Sequence, residues 1–284
     1  MKQISVFGVL MLCFLLPLSA QQTKQLVILQ TSDMHSRIEP ISAKSSDRNA
    51  GMGGVVRRAT FIKEARAKDK DDLLLFDCGD ISQGTPYYNL FRGEVEIKMM
   101  NLMGYDAMAI GNHEFDFGMD NMARLFRMAK FPILCANYDV KGTVLEGLVK
   151  PYVILERNGL KIGVFGLGPK LAGLVQANKY EGIVYEDATT VAQQMADLLK
   201  KKERCDVVVC LSHLGLTAEQ PGNPCDEELV QKTDHIDVIL GGHSHTFMKK
   251  PAFYLNKDGV EVPVLHTGKN GIYVGQLDLT LTKN

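Results

Sequence analysis

Apolar and polar positions alternate along the chain in blocks of two kinds. Short apolar runs at residues 25–30, 73–76, 107–110, 132–135, 207–211 and 238–240 read as strands. Between them the spacing lengthens. Val55, Ala59, Ile62 and Ala65 recur at three and four residues and predict a helix over 55–68. Further helices are predicted over 94–102, 119–129 and 188–202. Residues 152–155 and 161–165 read as a hairpin closed by Asn158-Gly159, a dipeptide suited to a tight type I′ turn. Strands over 262–266 and 273–281 end the pattern, and the Ser/Gly-rich stretch 40–54 reads as a loop. Alternating strands and helices predict an α/β fold, and the hairpin makes its sheets mixed.

The first twenty residues break this rhythm. Lys2 precedes an apolar run from Ile4 to Leu18, interrupted only by Ser5, Gly8 and Pro17, with Ser19-Ala20 behind it. A basic start, an apolar centre and small residues before Gln21 predict a signal peptide over 1–20 and a mature domain over 21–284. The run is shorter than the ~20 apolar residues of a membrane span, so no stable membrane anchor is expected. The protein is expected to be secreted or periplasmic.

Composition changes little: 45% hydrophobic and 23% charged residues describe an ordinary globular chain. A net charge of −1 argues against nucleic acid as a partner. Cys78, Cys135, Cys205, Cys210 and Cys225 follow the apolar leader, an odd number. Cys205 and Cys210, at either end of a strand, would lie about 16 Å apart, beyond disulfide reach. Most of these cysteines read as small buried residues.

Chemistry-bearing residues collect where strands end. Asp33 and His35 follow the first strand, and Asp77 and Asp80 the second. Asn112, His113, Glu114 and Asp116 follow the third, His213 follows strand 207–211, and His243 and His245 follow strand 238–240. Ligands in open α/β sheets bind at the carboxyl ends of strands. Carboxylate, imidazole and carboxamide donors suit Zn²⁺, Mn²⁺ or Fe²⁺, and seven of them are about right for two ions sharing a carboxylate.

In this order Asp33-x-His35, Gly79-Asp80, Gly111-Asn112-His113-Glu114, His213 and Gly242-His243-x-His245 resemble the calcineurin-like metallophosphatase superfamily. Within it, residues 79–85, 111–118, 212–215 and 242–246 resemble the 5′-nucleotidase family, and the likeness covers residues 25–284. The resemblance implies a four-layer sandwich of two mixed β-sheets flanked by helices. It implies one ion on Asp33, His35 and His245, a second on Asn112, His213 and His243, and Asp80 bridging both. His113 and Asp116 match a catalytic dyad, with Asn112 and His113 facing the substrate phosphate. The implied reaction is hydrolysis of a phosphate monoester, foremost a nucleoside 5′-monophosphate, by a hydroxide bridging the ions.

The chain departs from the family at Ser32 and Cys78, neither a ligand, and at its end. The family carries a second, nucleoside-binding domain, whereas this sequence stops at Asn284. Two alternatives therefore stand beside the leading reading. One is a catalytic subunit needing a separate nucleoside-binding chain. The other is a hydrolase of cyclic nucleotides, nucleotide sugars or sulfate-type esters on the same ions. Asp77 and Glu114 read as supporting residues, and His235 and His266 as ordinary histidines. Residues 51–54 read as a loop entry rather than an anion cradle. Tyr87 and Tyr88 either line the cleft or pack beside it.

Overall fold

The computed structural model describes residues 23–69 and 71–282; the expected signal peptide lies outside these. The first sheet is built around β1 (Thr23–Thr31), which pairs antiparallel with β14 (Gly275–Thr282) and parallel with β2 (Leu73–Asp77). The short strands β3 (Ala107–Ala109), β4 (Ile133–Leu134) and β6 (Val149–Lys150) extend it in parallel. In the second sheet, β8 (Leu160–Leu167), β10 (Val207–Ser212), β11 (Val238–Gly241) and β13 (Glu261–His266) run parallel. Its edges are the antiparallel strands β7 (Tyr152–Arg157) and β12 (Ala252–Leu255). A minor pair joins β5 (Tyr138–Asp139) to β9 (Val184–Tyr185).

Side chains alternate across each strand and fill three cores. From β1 and β2, Val27, Leu29, Leu73 and Leu75 pack under α1 (Val55–Lys68), α3 (Glu94–Met103) and α4 (Met119–Met128). Their neighbours Leu26, Ile28, Leu74 and Phe76 face Ile162, Val164, Val209 and Leu240 of the second sheet. On that sheet's far side, Phe165, Val208, Cys210 and Ile239 pack under α5 (Ala188–Asp197) and α6 (Asp226–Lys232). The result is the expected four-layer sandwich. Strands buried on both faces also explain why the sequence shows apolar runs and not clean alternation.

The Asn158-Gly159 turn has φ of 51° and 64°, the doubly positive pair a type I′ hairpin requires. The helix expected over 188–202 keeps α geometry only to Asp197, then widens into a π-turn over Leu198–Lys202. The wider turn keeps Leu199 in the core while Lys201 and Lys202 reach solvent. The elements without an expectation include α2 (Pro86–Phe91), α6 and β12, besides the two-residue strands β5, β6 and β9. Each is short. Pro86 opens α2, and Asp226, Glu227 and Glu228 complement the positive end of the α6 dipole. Most of the five thiols are expected to be buried, and all five are buried and free. No helix among the described residues is long and apolar enough to cross a membrane.

Candidate metal centre

Five strands from both sheets point their carboxyl ends at one edge of the sandwich. Asp33 and His35 leave β1, Asp80 leaves β2, Asn112 and His113 leave β3, His213 leaves β10, and His243 and His245 leave β11. The backbone there is forced. Asp33, His35, Asp80, His243 and His245 all have φ between 47° and 72°. Such non-glycine conformations cost of order 1 kcal/mol or more each and cluster at functional sites. The glycines between them allow close approach. A Cβ on Gly111 would sit 2.2 Å from Asp80 Oδ1, and one on Gly242 2.9 Å from His213 Nδ1.

Two donor sets result. Asp33, His35 and His245 form one and Asp80, His213 and His243 the other, each with donor atoms within 4.8 Å of one another. The first matches the trio expected for one ion; in the second, Asp80, expected as the bridge, stands with His213 and His243. In the first, His35 Nε2 and His245 Nε2 stand 2.9 Å apart, and Asp33 Oδ1 is 3.7 Å from His245 Nε2. The sets adjoin, with His213 Nε2 4.0 Å from Asp33 Oδ1. Asn112 adjoins the second set, since the next residue, His113, donates its backbone N–H to Asp80 Oδ1 at 2.8 Å. The Asn112 side-chain oxygen is buried with no hydrogen-bond partner. A buried acceptor without a donor is costly, and a cation satisfies it.

Protonation tells the same story. Burial pushes His35 and His243 down to about 4, leaving neutral imidazoles, the form that binds a metal. Burial also lowers His245, and the nearby Lys269 charge lowers it further. Burial raises Asp33 to about 6 although His213 pulls it back. For Asp80 burial acts upward too, but His213, His113 and His35 outweigh it and hold the carboxyl below its usual range. Burial alone would lower His213; Asp80, Asp33 and Glu114 override it and lift the imidazole to about 10. Lone pairs and carboxylates thus converge on two adjoining points. The donors fit two divalent cations.

Supporting bonds fix the donors. Glu114 Oε2 accepts from the N–H groups of Asp80 at 3.0 Å and Gly111 at 2.6 Å, and Oε1 accepts from Ile81 at 2.9 Å. One carboxylate therefore ties the β2 and β3 loops together, as the supporting role expected for it requires. Asp77 accepts from Thr31 Oγ1 at 2.6 Å and Gly79 N–H at 2.9 Å, anchoring the β2 exit. His113 Nδ1 lies 2.9 Å from Asp116 Oδ2, which also accepts the Tyr88 hydroxyl at 2.9 Å. Tyr87 turns instead to Glu39. Of the two tyrosines, only Tyr88 joins the site.

His266 is no surface residue. It is buried against Asp226 at 2.8 Å, and Asp226 also takes the Ser212 hydroxyl just before His213. His235 stands at the opposite end of β11, paired with Asp197 and Asp234. Sequence reasoning passed over Arg37 and Lys269, which flank His35 and His245 in one cavity. The available signal was proximity: Arg37 lies two residues beyond His35.

Residues 26–247 match the calcineurin-like phosphoesterase family. The chain belongs to that family. Within the calcineurin-like phosphoesterases it is similar to the 5′-nucleotidase of Rattus norvegicus, at 35% identity over 289 residues, covering 94% of this chain and 48% of that protein. The snake venom 5′-nucleotidase of Crotalus adamanteus is 34% identical over 275 residues, covering 90% of this chain and 45% of that protein. Among solved structures, the 5′-nucleotidase precursor of Thermus thermophilus superposes with a TM-score of 0.81 at 31% identity. That superposition covers 90% of this chain and 51% of the other. The chain spans about half the length of the curated relatives it matches.

Proposed function

We propose that this phosphoesterase hydrolyses phosphate monoesters, nucleoside 5′-monophosphates foremost, at a pair of divalent ions. The observation that carries the reading is the juxtaposition of the two donor sets with the His113–Asp116 pair. Asp33, His35 and His245 would hold one ion, Asn112, His213 and His243 the other, and Asp80 would reach both. When bound, two ions supply the positive charge that neutralises phosphate oxygens and makes phosphorus open to attack.

The chain's own residues supply the rest. Asp116 accepts from both Tyr88 and His113, so His113 keeps its Nδ1 proton and presents Nε2 outward. Burial would lower the His113 pKa, but Asp116 and Asp80 raise it above its usual value. A proton held at Nε2 would stabilise and then protonate the departing ester oxygen. Asn112 and His113, on one turn, would orient the phosphate between them. Glu114 keeps that turn in register with Asp80.

The test is phosphate release from adenosine, uridine and guanosine monophosphates and an aryl phosphate, before and after chelation and after returning Zn²⁺ or Mn²⁺. Turnover that disappears with the metal and returns with it is expected. Undiminished turnover in the chelated protein would overturn the reading. We also assign the protein to the exterior of the cytoplasm, supported by the pattern of residues 1–20 and by similarity to a venom protein. Sequencing the exported product should find Gln21 first.

A further inference from the structure

Behind the second donor set lies a buried polar trio that the proposed reaction does not use. Ser212 ends β10, Asp226 opens α6 and His266 ends β13, and each is at most 1% exposed. Asp226 Oδ1 accepts the Ser212 hydroxyl, and Oδ2 lies 2.8 Å from His266 Nε2. The carboxylate stands in the middle, so no base faces the hydroxyl and the trio is not a nucleophilic triad. A fully buried carboxylate is costly, and apolar side chains in its place would cost the core less. The backbone nevertheless makes room for it. Gly241 has no positive φ to explain it, yet a Cβ there would collide with His266 Nε2 and Asp226 Oδ2.

The bonds of the trio lead to the metal donors. The Ser212 hydroxyl also accepts the Leu214 N–H at 3.2 Å, so it spans the backbone on both sides of His213. The Asp226 N–H donates to the Gly215 carbonyl at 2.9 Å, and the Glu227 N–H to the Leu216 carbonyl at 3.1 Å. These bonds fasten the rest of the His213 loop to α6. The Leu216 N–H then reaches Ser244 Oγ at 3.1 Å, between His243 and His245. Beyond His266, the Thr267 hydroxyl lies 3.1 Å from that of Ser32, the residue before Asp33.

We propose that Asp226 is a positioning residue of the metal centre. By holding Ser212 and His266 it fixes where His213 Nε2 points, and so sets the affinity of the second ion. Both of its oxygens are engaged, so it is not itself a ligand. The proposal rests on the two-ion reading above.

The test is stepwise competition for Zn²⁺ between the protein and a chromophoric chelator, beside urea unfolding of the metal-free protein. The variants are Ser212→Ala, Asp226→Ala and Asp226→Asn. Val208→Ala, at the other end of β10, is the control that thins the same core away from the loops. Groups that hold a ligand in place contribute about 10–100-fold to metal affinity. Ser212→Ala and Asp226→Ala should therefore weaken one binding step by about 10–100-fold and leave the other within about three-fold. Asp226→Asn keeps an oxygen for Ser212 and an amide for the ring, so it should recover most of that loss. Joined to His245→Ala, which strips a donor from the first set, Ser212→Ala should weaken the surviving ion by the same factor. Val208→Ala should lose stability with both affinities unchanged.

Both steps unchanged in Ser212→Ala overturn the proposal, and so does equal weakening of the two steps. A loss that vanishes in the His245→Ala background overturns it too, because the affected ion would then be the first. An equal loss in Val208→Ala would reveal a merely structural role. If Asp226→Ala does not fold, Ser212→Ala and Asp226→Asn decide. Wild-type protein that binds fewer than two ions would overturn the two-ion reading itself, a separate outcome.

Discussion

His213 Nε2 lies 3.1 Å from Asp80 Oδ2 while its Nδ1 donates to the Cys78 carbonyl. The carbonyl can only accept, so it fixes which ring nitrogen faces the donors. Without a cation, the carboxylates hold a proton on Nε2, raising the imidazole to about 10. A metal must displace that proton.

Metal uptake at pH 7 should therefore release about one proton at His213, and apparent affinity should rise as pH increases toward 10. Calorimetric titration in buffers of different ionisation enthalpy reads the proton count directly. Uptake with no proton release would show that His213 is not displaced by the ion.

In the proposed assignment Asp80 is the carboxylate shared by both ions. Asp80→Ala should lower bound metal from two ions toward one or none and abolish turnover. Elemental analysis beside a phosphate-release assay checks both. Two ions retained at full activity would refute the bridging role.

Much of this centre was legible because each donor follows an apolar run, and parallel strands carry their ends to one edge. Asp33 and His245 are separated by more than two hundred residues, yet both leave neighbouring strands of the paired sheets. What stayed hidden depends on rotamers and long-range packing. Tyr88 and Tyr87 are adjacent in sequence and chemically equal, and only the winding of α2 sends one to Asp116 and the other to Glu39. The partnership of His266 with Asp226 arises because β13 lies beside β11, a neighbour relationship that no local pattern encodes. The π-turn after Asp197 is hidden for a similar reason: its residues read as helix, and the need to bury Leu199 widens it.

His113 and His235 separate catalysis from mere histidine content. His113→Ala should keep both ions and lower kcat by about 10²–10⁴-fold, the range for a positioned acid or electrostatic group. His235→Ala, at the far end of β11, should stay within about two-fold of wild type. Equal behaviour of the two variants, measured by steady-state kinetics with metal content, would remove the dyad assignment.

Asp77 offers a test of stability at a residue that supports the centre without belonging to it. It is fully buried, and burial raises its carboxyl to about 8 in spite of the hydrogen bonds from Thr31 and Gly79. A carboxyl with a raised folded pKa favours folding while protonated. That contribution is complete below the unfolded value near 4 and is lost as pH rises through about 8. Asp77→Asn retains an oxygen for the Gly79 N–H and offers an amide donor to the Thr31 oxygen, but never ionises. The variant should match wild type near pH 4 and become the more stable protein by on the order of 5 kcal/mol near pH 9. Urea unfolding of both proteins across that range gives the difference at each pH, cancelling every other titrating group they share. A difference independent of pH, or one that shrinks as pH rises, would show that Asp77 is ionised throughout and that its bonds outweigh its burial.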